Sequence, residues 1–89
     1  MNISEMVVEK FCENNKELVD LIARINNDIL RFASMYKSQY TVDDLSEMEI
    51  DKYFDVLIAY YRCQGFTVSS YQHTITIAWY DLIGKALAD

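Results

Sequence analysis

Proline is absent from these 89 residues, and glycine occurs only twice, at positions 65 and 84. So few helix breakers permit long helices, and two isolated glycines cannot build a Gly-rich phosphate loop. Basic residues are scarce as well. Lys and Arg total 8 against 14 acids, a formal net charge of −6. That balance argues against nucleic acid and anionic membrane as partners, because both repel an acidic chain. No apolar run approaches the roughly 20 residues that span a bilayer. The opening residues Met1-Asn2-Ile3-Ser4-Glu5 lack the basic and apolar regions of a secretory signal, so a cytoplasmic location is expected. Cys12 and Cys63 stand far apart with no Cys-x-x-Cys spacing, and both are expected to be reduced.

Histidine occurs once, at position 73. A general base needs a nucleophile or an orienting carboxylate in a recognisable pattern, and none accompanies His73, Cys12 or Cys63. Cys63 falls in the last turn of a predicted helix, where the dipole disfavours a thiolate. Zinc spacing is missing, and the acidic stretch lacks the central glycine and ligand spacing of a calcium loop. No enzyme, cofactor or metal is therefore expected.

What is present is an apolar share of 52% with 13% aromatic, a globular composition long enough for one domain, residues 1–89. From Ser4 to Lys37, the positions Val8, Phe11, Asn15, Leu18, Ile22, Ile25, Ile29, Phe32 and Tyr36 recur in steps of three and four, a seam broken only by Asn15. Unbroken, that helix would be about 50 Å long, more than the roughly 25–30 Å diameter of a domain this size. Either it breaks near Asn14-Asn15, or part of it packs on another chain. Leu18, Ile22, Ile25, Ile29 and Phe32 are assigned to the interface of a homodimer or small homo-oligomer, because one short second helix would not cover them.

Ser38-Gln39-Tyr40-Thr41 reads as a polar connection. The capping patterns Thr41-x-x-Asp44 and Ser46-x-x-Glu49 precede a second helix from Leu45 or Glu47 to Gln64, with Ile50, Tyr53, Phe54, Leu57, Ile58 and Tyr61 on one face. Gly65 is placed to end it. The period then changes to two: 66–69 and 74–79 predict a β-hairpin around a polar turn, Ser70-Tyr71-Gln72-His73, with Phe66, Val68, Ile75, Ile77 and Trp79 turned to the helices. Asp81 to Leu87 predicts a short final helix. The fold class is α+β, mainly α, in the order helix, helix, strand, strand, helix.

The stretch Tyr60-Tyr61-Arg62-Cys63-Gln64-Gly65-Phe66-Thr67-Val68, followed by Thr74-Ile75-Thr76-Ile77-Ala78-Trp79, resembles the helix–Gly–hairpin tails of small accessory proteins from tailed bacteriophages. The resemblance covers about a quarter of the chain. It implies a short, acidic, single-domain protein in the host cytoplasm that binds host or virion proteins, and it assigns a role to no residue.

Charge is unevenly placed. The segment from Thr41 to Asp55 holds Asp43, Asp44, Glu47, Glu49, Asp51 and Asp55 against Lys52 alone, whereas residues 1–40 hold five bases and six acids and residues 56–89 two of each. Acids favour a helix start, which explains part of the excess. The rest suggests a patch for a partner with a basic surface. Of seven tyrosines, Tyr36, Tyr53, Tyr60 and Tyr61 fall on or beside apolar helical faces, while Tyr71 and Tyr80 are interface candidates. The expected function is a protein-interaction module, an inhibitor or adaptor. The alternatives are a self-assembling structural component and an oligomeric sponge for a small ligand such as a nucleotide.

Overall fold

The seam predicted over Ser4 to Lys37 is cut at Asn14-Asn15 in the computed structural model, which describes residues 3–43 and 45–83. The Asn14 side-chain amide donates to the Lys10 carbonyl at 3.0 Å as α1 (Ile3–Glu13) ends. Asn15 turns extended, and its Oδ1 accepts from the Leu18 N–H at 3.2 Å to cap α2 (Lys16–Ser34). The single long N-terminal helix is thus two helices. At 19 residues α2 is about 28 Å long, which fits a molecule of 36 × 30 × 22 Å.

The interface residues assigned to a second subunit are corrected by burial. Leu18, Ile22, Ile25 and Ile29 lie inside the chain's own core, and Phe32 is half-buried, edge-on to Tyr40 with ring centroids 4.9 Å apart. A second helix alone would not cover this seam, but α1, α3 and a sheet cover it together. Tyr36, read as part of the seam, projects to solvent and is 98% exposed.

The connection at residues 38–41 contains a strand. β1 (Gln39–Thr41) precedes α3 (Glu47–Cys63), and β2 (Thr67–Tyr71) and β3 (Thr74–Ala78) follow. The sheet order is β1-β3-β2, antiparallel throughout, with Tyr40 and Val68 flanking Ile77 from either side. Two strands alone are marginal in water, and the third comes from this same chain. Beyond the strand ends, the Val42 N–H donates to the Ile75 carbonyl at 2.8 Å and the Trp79 N–H to that of Ser38 at 2.9 Å. The hairpin connection is tighter than predicted, only Gln72-His73.

One face of the sheet is apolar and buried, carrying Tyr40, Val68, Ile75 and Ile77. The opposite face carries mainly Thr, Ser and Tyr side chains, a two-layer α+β arrangement. Trp79 is buried, and its indole N–H donates to the Lys37 carbonyl at 2.9 Å. A helical turn occupies 80–83; the remainder of the predicted final helix, to Leu87, lies outside the described residues. Among the described residues no helix is long and apolar enough to cross a membrane.

Candidate interaction surface

The acidic segment is built around the start of α3. Ser46 caps that helix, accepting from the Glu49 N–H at 3.2 Å while the Glu49 carboxylate accepts from the Ser46 N–H at 3.0 Å. Glu49 also meets the Arg24 guanidinium at 3.3 Å. The Ser46 N–H, and after it Arg24, hold its carboxyl below the ordinary carboxylate range. Glu49 is therefore engaged in helix capping and in tying α3 to α2, which removes it from the partner-facing set. Asp43 accepts from the Tyr40 hydroxyl at 3.3 Å, beside the bond from the same hydroxyl to Asp28 at 2.9 Å. Asp44 lies outside the described residues.

Glu47, Asp51 and Asp55 remain, all exposed. Spaced four residues apart, they share one strip of the helix surface, where each like-charge i,i+4 pair costs roughly 0.2–0.5 kcal/mol. Lys52, the one base of the segment, does not relieve them. It turns instead to Glu17 on α2, 3.1 Å away. The Tyr53 hydroxyl joins the same carboxylate at 2.7 Å, and these two groups, Tyr53 first, hold Glu17 below its ordinary range. Against the strip stands the hairpin turn, with His73 Nδ1 3.3 Å from Asp51 Oδ1. His73 was legible only as an isolated turn residue, because nothing local to the sequence fixes a contact between elements this distant.

The two tyrosines proposed with the acids do not join them. Tyr71 pairs with Thr74 while Ser70 pairs with the buried Ile75, so Tyr71 stands on the sheet face away from the helices. Tyr80 follows the other end of β3, about 16 Å away along the strand. Both are exposed. They are separate features, not parts of one site.

A concave region elsewhere on the molecule was not visible in the sequence. Two adjoining cavities of about 370 and 290 Å³ share Tyr60 and Gln64; one reaches Glu9, Cys12, Glu13, Val19 and Ile22, the other Asn26, Ile29, Leu30, Tyr61 and Phe66. The floor between α2 and α3 is set by Tyr61, whose hydroxyl donates to Asn26 Oδ1 at 2.7 Å. Burial, followed by the nearby Cys63, raises the Cys12 thiol. Both cysteines are free. Among the described residues, no three His, Cys, Asp or Glu side chains come together as a metal-binding group. Comparison with protein-family models, characterised proteins and solved structures finds no match to this chain.

Proposed function

We propose that this chain is a protein-interaction module that offers the outer strip of α3, Glu47, Asp51 and Asp55, with His73 beside it, to a basic surface on another protein. One observation carries this reading: three carboxylates sit at i, i+4 and i+8 with the segment's only base turned away to α2. A helix selected for its own stability would interleave Lys or Arg there. An inhibitor or adaptor of the kind found among small phage accessory proteins is consistent with this chemistry.

Reversing Glu47, Asp51 and Asp55 to Lys tests it. All three are exposed, so the folded state is expected to survive. Proteins captured from host lysate by the wild type at low salt should be lost with the reversed variant. Capture that is unchanged by the reversal contradicts the reading.

A small-ligand reading is favoured by the paired cavities, whose size falls in the range of ligand pockets. Glu9 and Glu13 border the larger one, which disfavours nucleotides and points to neutral or cationic compounds. A thermal-shift screen separates the two readings, since a ligand at a hundred times its Kd adds about 2.7 kcal/mol.

A further inference from the structure

The two cavities beside Tyr60 are parts of one groove. Val19 and Ile22 line the first, Asn26 and Ile29 the second, and these four follow one another along α2 in steps of three and four. Such steps keep residues on one side of a helix. From Val19 to Leu30 the stripe covers about 16 Å of helix. Tyr60 and Gln64, one turn apart on α3, border both cavities and form the opposite wall where they join.

The two ends of the groove differ in charge. At one end α1 contributes Glu9, Cys12 and Glu13. Glu13 is exposed and paired with Lys10 at 3.3 Å. Cys12 is buried, and its raised thiol stays neutral. Glu9 is half-buried, and among the described residues no cation or hydrogen-bond donor meets its carboxylate. Its charge reaches the Tyr60 hydroxyl, which is pushed above its ordinary 10.0 by burial first, then by Cys12 and Glu9. That hydroxyl also has no hydrogen-bond partner among the described residues. The other end, with Ile29, Leu30 and Phe66, holds no charged group. The Asn26 Oδ1 there is already taken by the Tyr61 hydroxyl at 2.7 Å.

We infer that this groove binds an amphiphilic organic monocation, its ammonium group at Glu9 and the Tyr60 hydroxyl and its hydrocarbon tail laid along α2 towards Leu30 and Phe66. The inference rests on the small-ligand reading of the cavities and names the class of ligand. Neither cavity is lined by a basic residue, so an anionic head would meet only like charge. A neutral head would leave Glu9 without a counter-charge. An ammonium supplies three donors, and the Glu9 carboxylate and the Tyr60 oxygen both accept. A second positive charge on the ligand would have to sit among Ile29, Leu30 and Phe66, where burial penalises it. Leu30 is 67% exposed, and a hydrocarbon chain lying against it removes that apolar surface from water.

Amide NMR titration of the full chain with hexylammonium, hexanol and hexanoate, three probes with one tail and different heads, tests it. Hexylammonium is expected to shift the amides of Glu9 and Cys12 at one end and of Ile29 and Leu30 at the other, saturating in the millimolar range suited to so small a ligand. Hexanol should bind about fivefold more weakly, and hexanoate should not bind. Glu9→Gln, a near-isosteric change on a half-buried helical site, should bring hexylammonium down to the level of hexanol and leave hexanol itself unchanged. Hexanol or hexanoate binding as tightly as hexylammonium overturns the inference while leaving the small-ligand reading in place. So does a folded Glu9→Gln variant that binds hexylammonium like the wild type. No shift at these amides with any of the three probes to about 20 mM overturns both.

Discussion

Tyr36 occupies a backbone conformation that usually belongs to glycine. Its φ is 61°, and around it the Tyr36 N–H donates to the Ala33 carbonyl at 3.0 Å and the Lys37 N–H to that of Phe32 at 3.1 Å. The same pair of bonds closes α3, where Gly65, at φ 96°, donates to Arg62 and Phe66 donates to Tyr61. Both are Schellman ends. The left-handed conformation costs a side-chain-bearing residue roughly 1–2 kcal/mol, offset by the roughly 0.5–1 kcal/mol of extra chain entropy that glycine loses on folding. Tyr36→Gly should therefore stabilise the protein by about 0.5–1 kcal/mol in urea unfolding. Gly65→Ala should cost about 1 kcal/mol by the same difference taken in reverse. Contact does not enter that second cost, because a Cβ at Gly65 would meet nothing closer than Leu82 Cδ2 at 3.7 Å. Trp79 presents the opposite case, a large side chain that is 6% exposed and hydrogen-bonded to the Lys37 carbonyl. Trp79→Ala should cost about 3–5 kcal/mol. A loss below roughly 1 kcal/mol would show that the indole contributes little burial.

At the scale of elements, the two asparagines decide the helical architecture. Asn15 supplies the cap that starts α2 directly after α1 ends. Asn15→Ala should cost about 1 kcal/mol and fray the first turn of α2, visible as faster amide exchange at Leu18 and Val19. Unchanged exchange there would show that the α1–α2 break does not depend on the cap. This break was legible as a possibility, because the helix would otherwise outrun the molecule. The hairpin, the Ser46 capping box and the Gly65 stop were legible too, since each rests on local chemistry. β1 was not. It is three residues long, and only Tyr40 of the three is buried. A period-two pattern cannot be recognised in one apolar residue, and the strand exists because β3 offers an edge. The covering of α2 was misjudged for the same reason: without β1, too little apolar surface remained to bury Ile25 and Ile29.

The whole molecule is held across its layers by tyrosine hydroxyls. Tyr53 donates to Glu17, Tyr61 to Asn26 and Tyr40 to Asp28, linking α3 and β1 to α2. Helical spacing placed Tyr53 and Tyr61 in the core, but their polar partners are fixed by tertiary packing and left no local signal. Burial first, then for Tyr40 the bond to Asp28 and its charge, and for Tyr61 its titratable neighbours Tyr60 and Cys12, push the two hydroxyls above their ordinary value of 10.0. A group raised in the folded state contributes stability below its unfolded pKa and loses it as pH rises towards the folded one. Glu17 and Glu49 are lowered from 4.5, so their contribution is present above that pH and is lost as pH falls through their folded values. Stability should be level between about pH 4.5 and pH 9 and decline outside that window, with the Cys12 thiol, raised from 9.0, entering first on the alkaline side and the tyrosines following above about pH 10. Unfolding midpoints across pH, read with phenolate absorbance on the alkaline side, check both limbs. A protein that ionises all seven tyrosines near their ordinary value without unfolding would contradict the hydroxyl bridges.

The acidic strip of α3 also acts at the scale of the molecule, through its field. The three reversals to Lys change two charges each and bring the formal net charge from −6 to 0. Electrostatic steering affects association more than dissociation, and it fades as salt shortens the Debye length. The most direct measurement is the association rate of wild type and of the Glu47, Asp51, Asp55 triple-Lys variant with the captured partner, across ionic strength. The wild-type rate should fall by about tenfold or more between low and high salt and meet the variant's flat, slower rate at the high end. Equal rates for the two proteins at low salt, with no salt dependence in either, would contradict the proposal that this strip is where the protein meets its partner.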